Sequence, residues 1–208
     1  LGLQFSTGWN ETTDFQKGLF SKQWGPASWK DAILQGSHLY VSTPLYKQPN
    51  QTMANQRDWT ATDLESLPSS ILPVTQYKPA GDHTTYNRLY THWRNHSAFE
   101  YYRVAWRNMA PLTGERTLVP SIIPTGTAHL QSVTSTSTPT SSVHYIPMIA
   151  GVSSSLISDF MIRAAGRGHI NGADFSLLPA LDTSHPLTTA VILRILRLNC
   201  ISDAYTSL

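Results

Sequence analysis

The chain of 208 residues is long enough for one domain with a sizeable core or two small lobes, and its 40% hydrophobic content is that of a globular protein. Charged residues reach only 13%, against about 25% in an average protein, with Ser and Thr in their place, and the net charge of +2 is far below that of a non-specific nucleic-acid binder. One cysteine, Cys200, excludes an internal disulfide and a cysteine-rich zinc site, and it reads as an inert core thiol. No apolar run reaches the length of a membrane span, and the opening LGLQFSTGWN carries no signal-peptide pattern and no initiator Met. A cytoplasmic piece of a larger protein, without a membrane partner, is the expectation.

Residues 1–30 set Trp9, Trp24 and Trp29 among Gly and Pro, which reads as short strands and loops. Ile33-Leu34 leads into a turn, and a buried strand is expected over residues 38–43, stopped by Pro44. Residues 47–57 are polar and loop-like. An extended piece over 71–77 lies between Pro68 and Pro79. In residues 84–96, Tyr86, Leu89, Tyr90 and Trp93 recur at helical spacing, with Arg88 and Arg94 between them. Such a helix buries its aromatics, and its basic side suits a phosphate backbone.

Residues 101–129 organise the chain. Tyr102, Val104 and Trp106 alternate with Arg103, Ala105 and Arg107, the period of a strand. A turn with Pro111 and Gly114 follows, then a second β-branched run to Ile122-Ile123. A hairpin results, with Arg107, Asn108, Glu115 and Arg116 near one end. These side-chain types read base edges: arginine guanine, asparagine adenine, glutamate the cytosine amino group. Trp106 points to the opposite face, towards the core. The Ser/Thr-rich run 131–142 has little to bury and reads as a flexible loop. A short strand is expected at 144–149. A helix over 152–165 carries the stripe Val152, Leu156, Phe160 and Ala164, with Asp159 and Arg163 as a surface pair. Pro186, Leu187, Val191, Ile195 and Leu198 mark a last helix, with Arg194 and Arg197 on its flank. The architecture is α+β, one domain over 1–208 with an antiparallel-rich mixed sheet and a few packed helices, in one or two lobes.

Four motifs in this order are similar to the target-recognition region of large bacterial N6-adenine DNA methyltransferases, the single-chain restriction–modification and phage-defence enzymes. They are Tyr102-Arg103-x-x-Trp106-Arg107-Asn108, Thr113-x-Glu115-Arg116-Thr117, Pro124-x-Gly126-x-x-His129 and Ser154-Ser155-Leu156-x-x-Asp159-Phe160. The resemblance covers residues 101–178; before that, Trp29-Lys30-Asp31, Pro44-Leu45-Tyr46 and Tyr77-Lys78-Pro79 match loosely. It implies a partner, duplex DNA, contacted through Arg103, Arg107, Asn108, Glu115, Arg116 and His129, with Arg88 and Arg94 outside the hairpin. Arg107 and Arg116 fall on the family's strongest positions. The Ser/Thr run and the short stretch between Trp93 and Tyr101 depart from the family pattern and bear on base specificity.

A methyltransferase also needs a glycine-rich cofactor loop and an Asn/Asp-Pro-Pro-aromatic motif that holds the flipped base. The sequence has neither, so S-adenosylmethionine is expected in a methyltransferase domain elsewhere in the same polypeptide. There is no phosphate loop, H-E-x-x-H or G-x-S-x-G. His92 and His96, with His83 near, have a zinc-compatible spacing but no zincin glutamate. His129 reads either as a loop-fixing residue or as a DNA contact. The rival to DNA recognition is a domain that docks other proteins and never touches bases; a hydrolase built on His83, His92 and His96 is the third reading.

Overall fold

In the strand alternation Tyr102-Arg103-Val104-Ala105-Trp106, the apolar side and the arginine side are both covered by protein. The computed structural model describes residues 2–208. Its first half forms short elements: β1 (Gln4–Ser6), α1 (Thr13–Gln16), β2 (Phe20–Lys22), β3 (Ile33–Leu34), β4 (Lys47–Pro49), β5 (Trp59–Ala61), β6 (Tyr77–Pro79), α2 (His83–Leu89), β7 (His92–Trp93) and β8 (His96–Ser97). Its second half holds β9 (Arg103–Arg107), β10 (Pro120–Ile123), β11 (Ala128–His129), β12 (Val133–Ser137), α3 (Tyr145–Ser153), α4 (Leu156–Ala164), α5 (Gly172–Ser176) and α6 (Thr188–Asn199). The fold is α+β.

The main sheet is antiparallel, in the order β1-β12-β9-β10, with Val104 opposite Ile122 and Thr136. On one face Val104, Trp106 and Ile122 meet Ile146, Ile149, Ile162, Phe175 and Ile195 of the helices. Trp106 is fully buried, stacks on Phe175 at 4.0 Å between centroids, and donates its Nε1–H to Ile170 O. On the other face Ala105, Ile123 and Val133 pack with Leu34 and Leu39. That layer also contains an aromatic cluster of Trp9, Tyr86, Tyr90, Trp93 and Phe99.

The expected hairpin exists as β9–β10, but several neighbouring expectations are corrected. The Ser/Thr run is a loop only after residue 137: residues 133–137 form β12, a buried inner strand between β1 and β9. Its small and β-branched side chains suit a strand covered on both faces, and the hydroxyls find partners. Ser137 Oγ donates to Tyr102 O, and Thr136 Oγ1 donates to Gln4 O. Residues 144–149 open helix α3, because a short apolar run reads alike for a buried helix and a buried strand. Pro147 is tolerated there in the first turn, where its missing N–H has no helical partner to lose.

The helix expected over 152–165 is broken. α3 and α4 meet at 59°, and Ser155 caps α4 by accepting from Ser158 N. Leu156 and Phe160 therefore do not continue the buried stripe of α3. Likewise α2 ends at Leu89, and residues 92–97 form the small hairpin β7–β8. Residues 38–43 are irregular, not a strand, while part of residues 47–57 is ordered as β4, which pairs with β5. No single helix among the described residues is long and apolar enough to cross a membrane; α3 and α4 approach that only together, and α3 is largely buried.

Gly151 lets α3 approach α6: a Cβ there would stand 3.0 Å from Ile195 Cγ1 and 3.2 Å from Val191 Cγ1. This brings Asn199 to the outer edge of the sheet. Its Oδ1 accepts from Ile122 N at 2.9 Å, and the Tyr205 hydroxyl donates to Ile122 O at 2.8 Å. The edge strand β10 is thereby paired by side chains where it has no neighbouring strand.

Candidate nucleic-acid interface

The eight residues singled out by sequence divide into two groups. Arg103 is fully buried, with Nε donating to Tyr101 O and Nη2 to Thr127 O. Burial pushes its pKa below the ordinary arginine value, and the nearby Tyr90 and Tyr86 hydroxyls partly offset this. His129 is fully buried too. Its Nδ1 lies 3.2 Å from Leu130 O, so that nitrogen donates and Nε2 is left to accept from Ser135 Oγ at 2.8 Å. Burial, with Arg103 as the neighbouring charge, lowers its pKa to about 3, so the ring is neutral at physiological pH. Neither group reaches a groove, which corrects the expectation for both.

Arg107 donates from Nε to Gly36 O at 2.8 Å and from Nη2 to Leu39 O at 2.5 Å, with the Tyr46 ring 5.8 Å from its guanidinium carbon. Asn108 is held through its backbone, donating to Ser132 O and accepting from Ile170 N. Glu115 accepts from the Tyr40 hydroxyl. Arg116 donates to Ser154 O at 2.8 Å and lies 3.4 Å from Asp159 Oδ1, with its side chain 15% exposed. Arg107 and Arg116 thus tie the hairpin to adjacent loops and helices.

Asp159 is the residue that sequence reasoning misplaced. Its i,i+4 pair with Arg163 exists, but the carboxylate is buried and not on the surface: Oδ1 accepts from Thr117 N and Leu118 N at 2.8 Å each. Arg116 and Arg163 flank it at 3.4 and 3.6 Å. A carboxylate with two backbone donors and two guanidiniums is a strong clasp, and it locks α4 to the chain entering β10.

Arg88 and Arg94 differ. Both are exposed, and neither has a side-chain hydrogen bond or ion pair among the described residues. Arg94 is at the tip of β7–β8 with φ 58°, a left-handed conformation that disfavours a side chain. His92 and His96 do not face a common ion: His92 contacts Tyr90 O, and His96 contacts Glu100. Among the described residues no group of three or more His, Cys, Asp or Glu could hold a metal.

Beside α2 lies a cleft of about 370 Å³, lined by Lys30, His83, Asn87, Phe99, Glu100 and the Thr125-Gly126 turn. Tertiary structure alone assembles this set; only the loosely matching Trp29-Lys30-Asp31 and the Pro124-x-Gly126 motif hinted at it. On the helical side, a smaller apolar pocket of about 200 Å³ includes Met148, Val152, Phe175 and Leu178 and has no charged lining residue. Near it, α4 presents Leu156, Ile157 and Phe160 at 74%, 68% and 69% exposure. Compared with protein-family models and with curated proteins, the chain matches none.

Proposed function

We propose that the chain is a DNA target-recognition domain of an N6-adenine methyltransferase or restriction–modification enzyme, binding duplex DNA and positioning a separate catalytic domain. The observation that carries this reading is the pair of unpartnered arginines, Arg88 and Arg94, on the lobe that also holds the Lys30–Asn87–Glu100 cleft. An exposed guanidinium without an internal partner is available to a phosphate, and lysine, asparagine and glutamate are base-reading types. The motif order over residues 101–178 supports the same assignment. In this reading the hairpin is the scaffold, and S-adenosylmethionine belongs to the methyltransferase domain.

A protein-docking domain is the second reading, favoured by the exposed apolar side of α4. The two are compatible if α4 meets the catalytic domain while α2 and β7–β8 meet DNA. Fluorescence anisotropy of a labelled duplex at two salt concentrations tests the first. Binding that weakens steeply with salt is expected; no binding at low salt would leave docking as the function.

A further inference from the structure

We infer that α4 is a self-docking face, on which a second copy of this chain packs antiparallel to form a symmetric dimer. The inference rests on the docking reading of α4 and names the partner. Helix α4 is built inside out. Its polar residues Ser158, Asp159 and Arg163 lie with Ile162 on the side turned to the protein, and every exposed residue from 156 to 165 is apolar: Leu156, Ile157, Phe160, Met161, Ala164 and Ala165. A helix that met only water on its outside would have its polar residues there. The clasp at Asp159 fixes this orientation, because turning the helix would leave Thr117 N and Leu118 N without their acceptor.

The pattern of sizes points to a second copy. The exposed residues form two ridges at i, i+4, i+8 spacing, Leu156-Phe160-Ala164 and Ile157-Met161-Ala165. Each ridge runs large, large, small. In an antiparallel pair about a two-fold axis near Phe160 and Met161, Leu156 and Ile157 of each copy meet Ala164 and Ala165 of the other. Phe160 and Met161 interdigitate at the crossing, where the flexible Met side chain fills gaps. Bulk then faces small side chains at both ends, the self-complementarity that an isologous interface requires. A parallel pair would set Leu156 against its own copy and alanine against alanine, leaving a void.

Area and charge agree. The loop with Met109 and Leu112, 66% and 43% exposed, is fastened beside α4 by Arg163, which donates to Gly114 O and Glu115 O. By their exposures the α4 residues offer roughly 600 Å², and Met109 and Leu112 raise this to roughly 800 Å², the area a standard interface takes from each partner. No exposed residue of α4 is charged, and Arg167, just beyond the helix, lies 3.5 Å from Asp174. A Cβ added at Gly166 or Gly168 would meet nothing within 4 Å, so the C-terminal end of α4 is open to a neighbour. Antiparallel pairing also sets each helix N-terminus beside the partner's C-terminus, the favourable alignment of their dipoles. An anionic membrane fits this face less well, because a helix on such a surface uses cations on its polar side, and here that side is turned inwards.

The test is sedimentation velocity of the full chain from micromolar to submillimolar concentration, for the wild type and for Phe160→Asp with its fold checked by circular dichroism. It is joined to disulfide trapping of Leu156→Cys and Ala164→Cys in a Cys200→Ser background. A wild-type dimer that dissociates on dilution is expected, weakened about a hundredfold by Phe160→Asp, which acts twice in a two-fold interface. A mixture of the Leu156→Cys and Ala164→Cys chains should give a disulfide-linked dimer, and Leu156→Cys alone should not. Trapping by Leu156→Cys alone overturns the antiparallel arrangement. A dimer indifferent to Phe160→Asp overturns the assignment to α4. A wild-type monomer at every concentration overturns the second copy as occupant. If Leu156→Ser/Phe160→Ser still lowers binding of a hydrophobic dye to that monomer, the docking reading of α4 survives, and co-sedimentation with phosphatidylcholine vesicles would make lipid the occupant; unchanged dye binding removes both.

Discussion

The two faces of the central sheet carry surfaces of opposite chemistry. On the helical face, α3 and α6 bury their apolar sides while α4 leaves Leu156, Ile157 and Phe160 in solvent. On the arginine face, an aromatic cluster is buried, and the exposed residues of α2 and β7–β8 are polar or basic except Leu89: His83, Thr84, Asn87, Arg88, His92, Arg94, Asn95 and His96. The difference shows that arginines in a strand are not thereby surface groups. Arg103 and Arg107 lie beneath a second layer and hold it, and the solvated cations are those on the layer's outside. The proposed division of labour gives one face to protein and the other to nucleic acid.

The largest expected effect is on the clasp of the helical face. Asp159→Ala leaves Thr117 N and Leu118 N without their acceptor and two guanidiniums without their carboxylate. Loss of about 3–5 kcal/mol is expected, measured by urea unfolding. If Asp159→Ala unfolds at the wild-type midpoint, α4 is not held as described.

Acid separates the faces next. His38 and His129 are buried with pKa values lowered to about 4 and about 3, each chiefly by burial. The unfolded chain takes up these protons near pH 6.5, the folded chain only below the lowered values. The stabilisation is complete above pH 6.5, and falls with pH down to about 3–4, by about 1.4 kcal/mol per pH unit for each histidine. Melting scans from pH 7.5 to 4.5 should show this decline, and His129→Gln should make it shallower. An unchanged slope in that variant would remove His129 from the account.

A smaller effect of opposite sign is expected at the hairpin tip. Arg94→Gly relieves the left-handed strain at φ 58° and should raise stability by roughly 1 kcal/mol while weakening DNA binding. Stabilisation with undiminished affinity would mean that the residue is not kept for a ligand. The smallest effect on folding is predicted for Leu156→Ser with Phe160→Ser on α4, within about 0.5 kcal/mol. The same pair should lower binding of a hydrophobic dye; unchanged dye binding would mean that α4 is not the apolar surface.

Much of the central hairpin was legible in the sequence because a period of two is a local signal. Tyr102, Val104 and Trp106 face the helices as their alternation requires. The second layer was not legible, since the covering of Arg103 and His129 depends on residues distant in sequence, such as Thr127 for Arg103 and Tyr90 for His129. The Ser/Thr run misled because its composition suggests solvent, whereas a strand paired on both sides satisfies its backbone and needs only small side chains. Asp159 misled for a related reason: its spacing to Arg163 fits a surface pair, and only the return of the Glu115-Arg116-Thr117 turn buries it. For the candidate interface, Arg88 and Arg94 were visible as cations, but the cleft at Lys30, Asn87 and Glu100 draws on three separate stretches of chain.

The most direct measurement of the central claim is the salt dependence of duplex binding by the wild type, by Arg88→Ala/Arg94→Gly, and by Arg107→Ala. If the outer layer meets the phosphates, the double variant should lower the slope of log K against log salt by about 1.8, roughly 0.9 for each arginine. It should do so without losing thermal stability. Arg107→Ala should leave the slope intact and reduce the melting temperature, because its donors hold Gly36 O and Leu39 O. A full slope in the double variant, or a slope lowered by about 0.9 in an Arg107→Ala protein that melts normally, would return the interface to the hairpin and contradict the account.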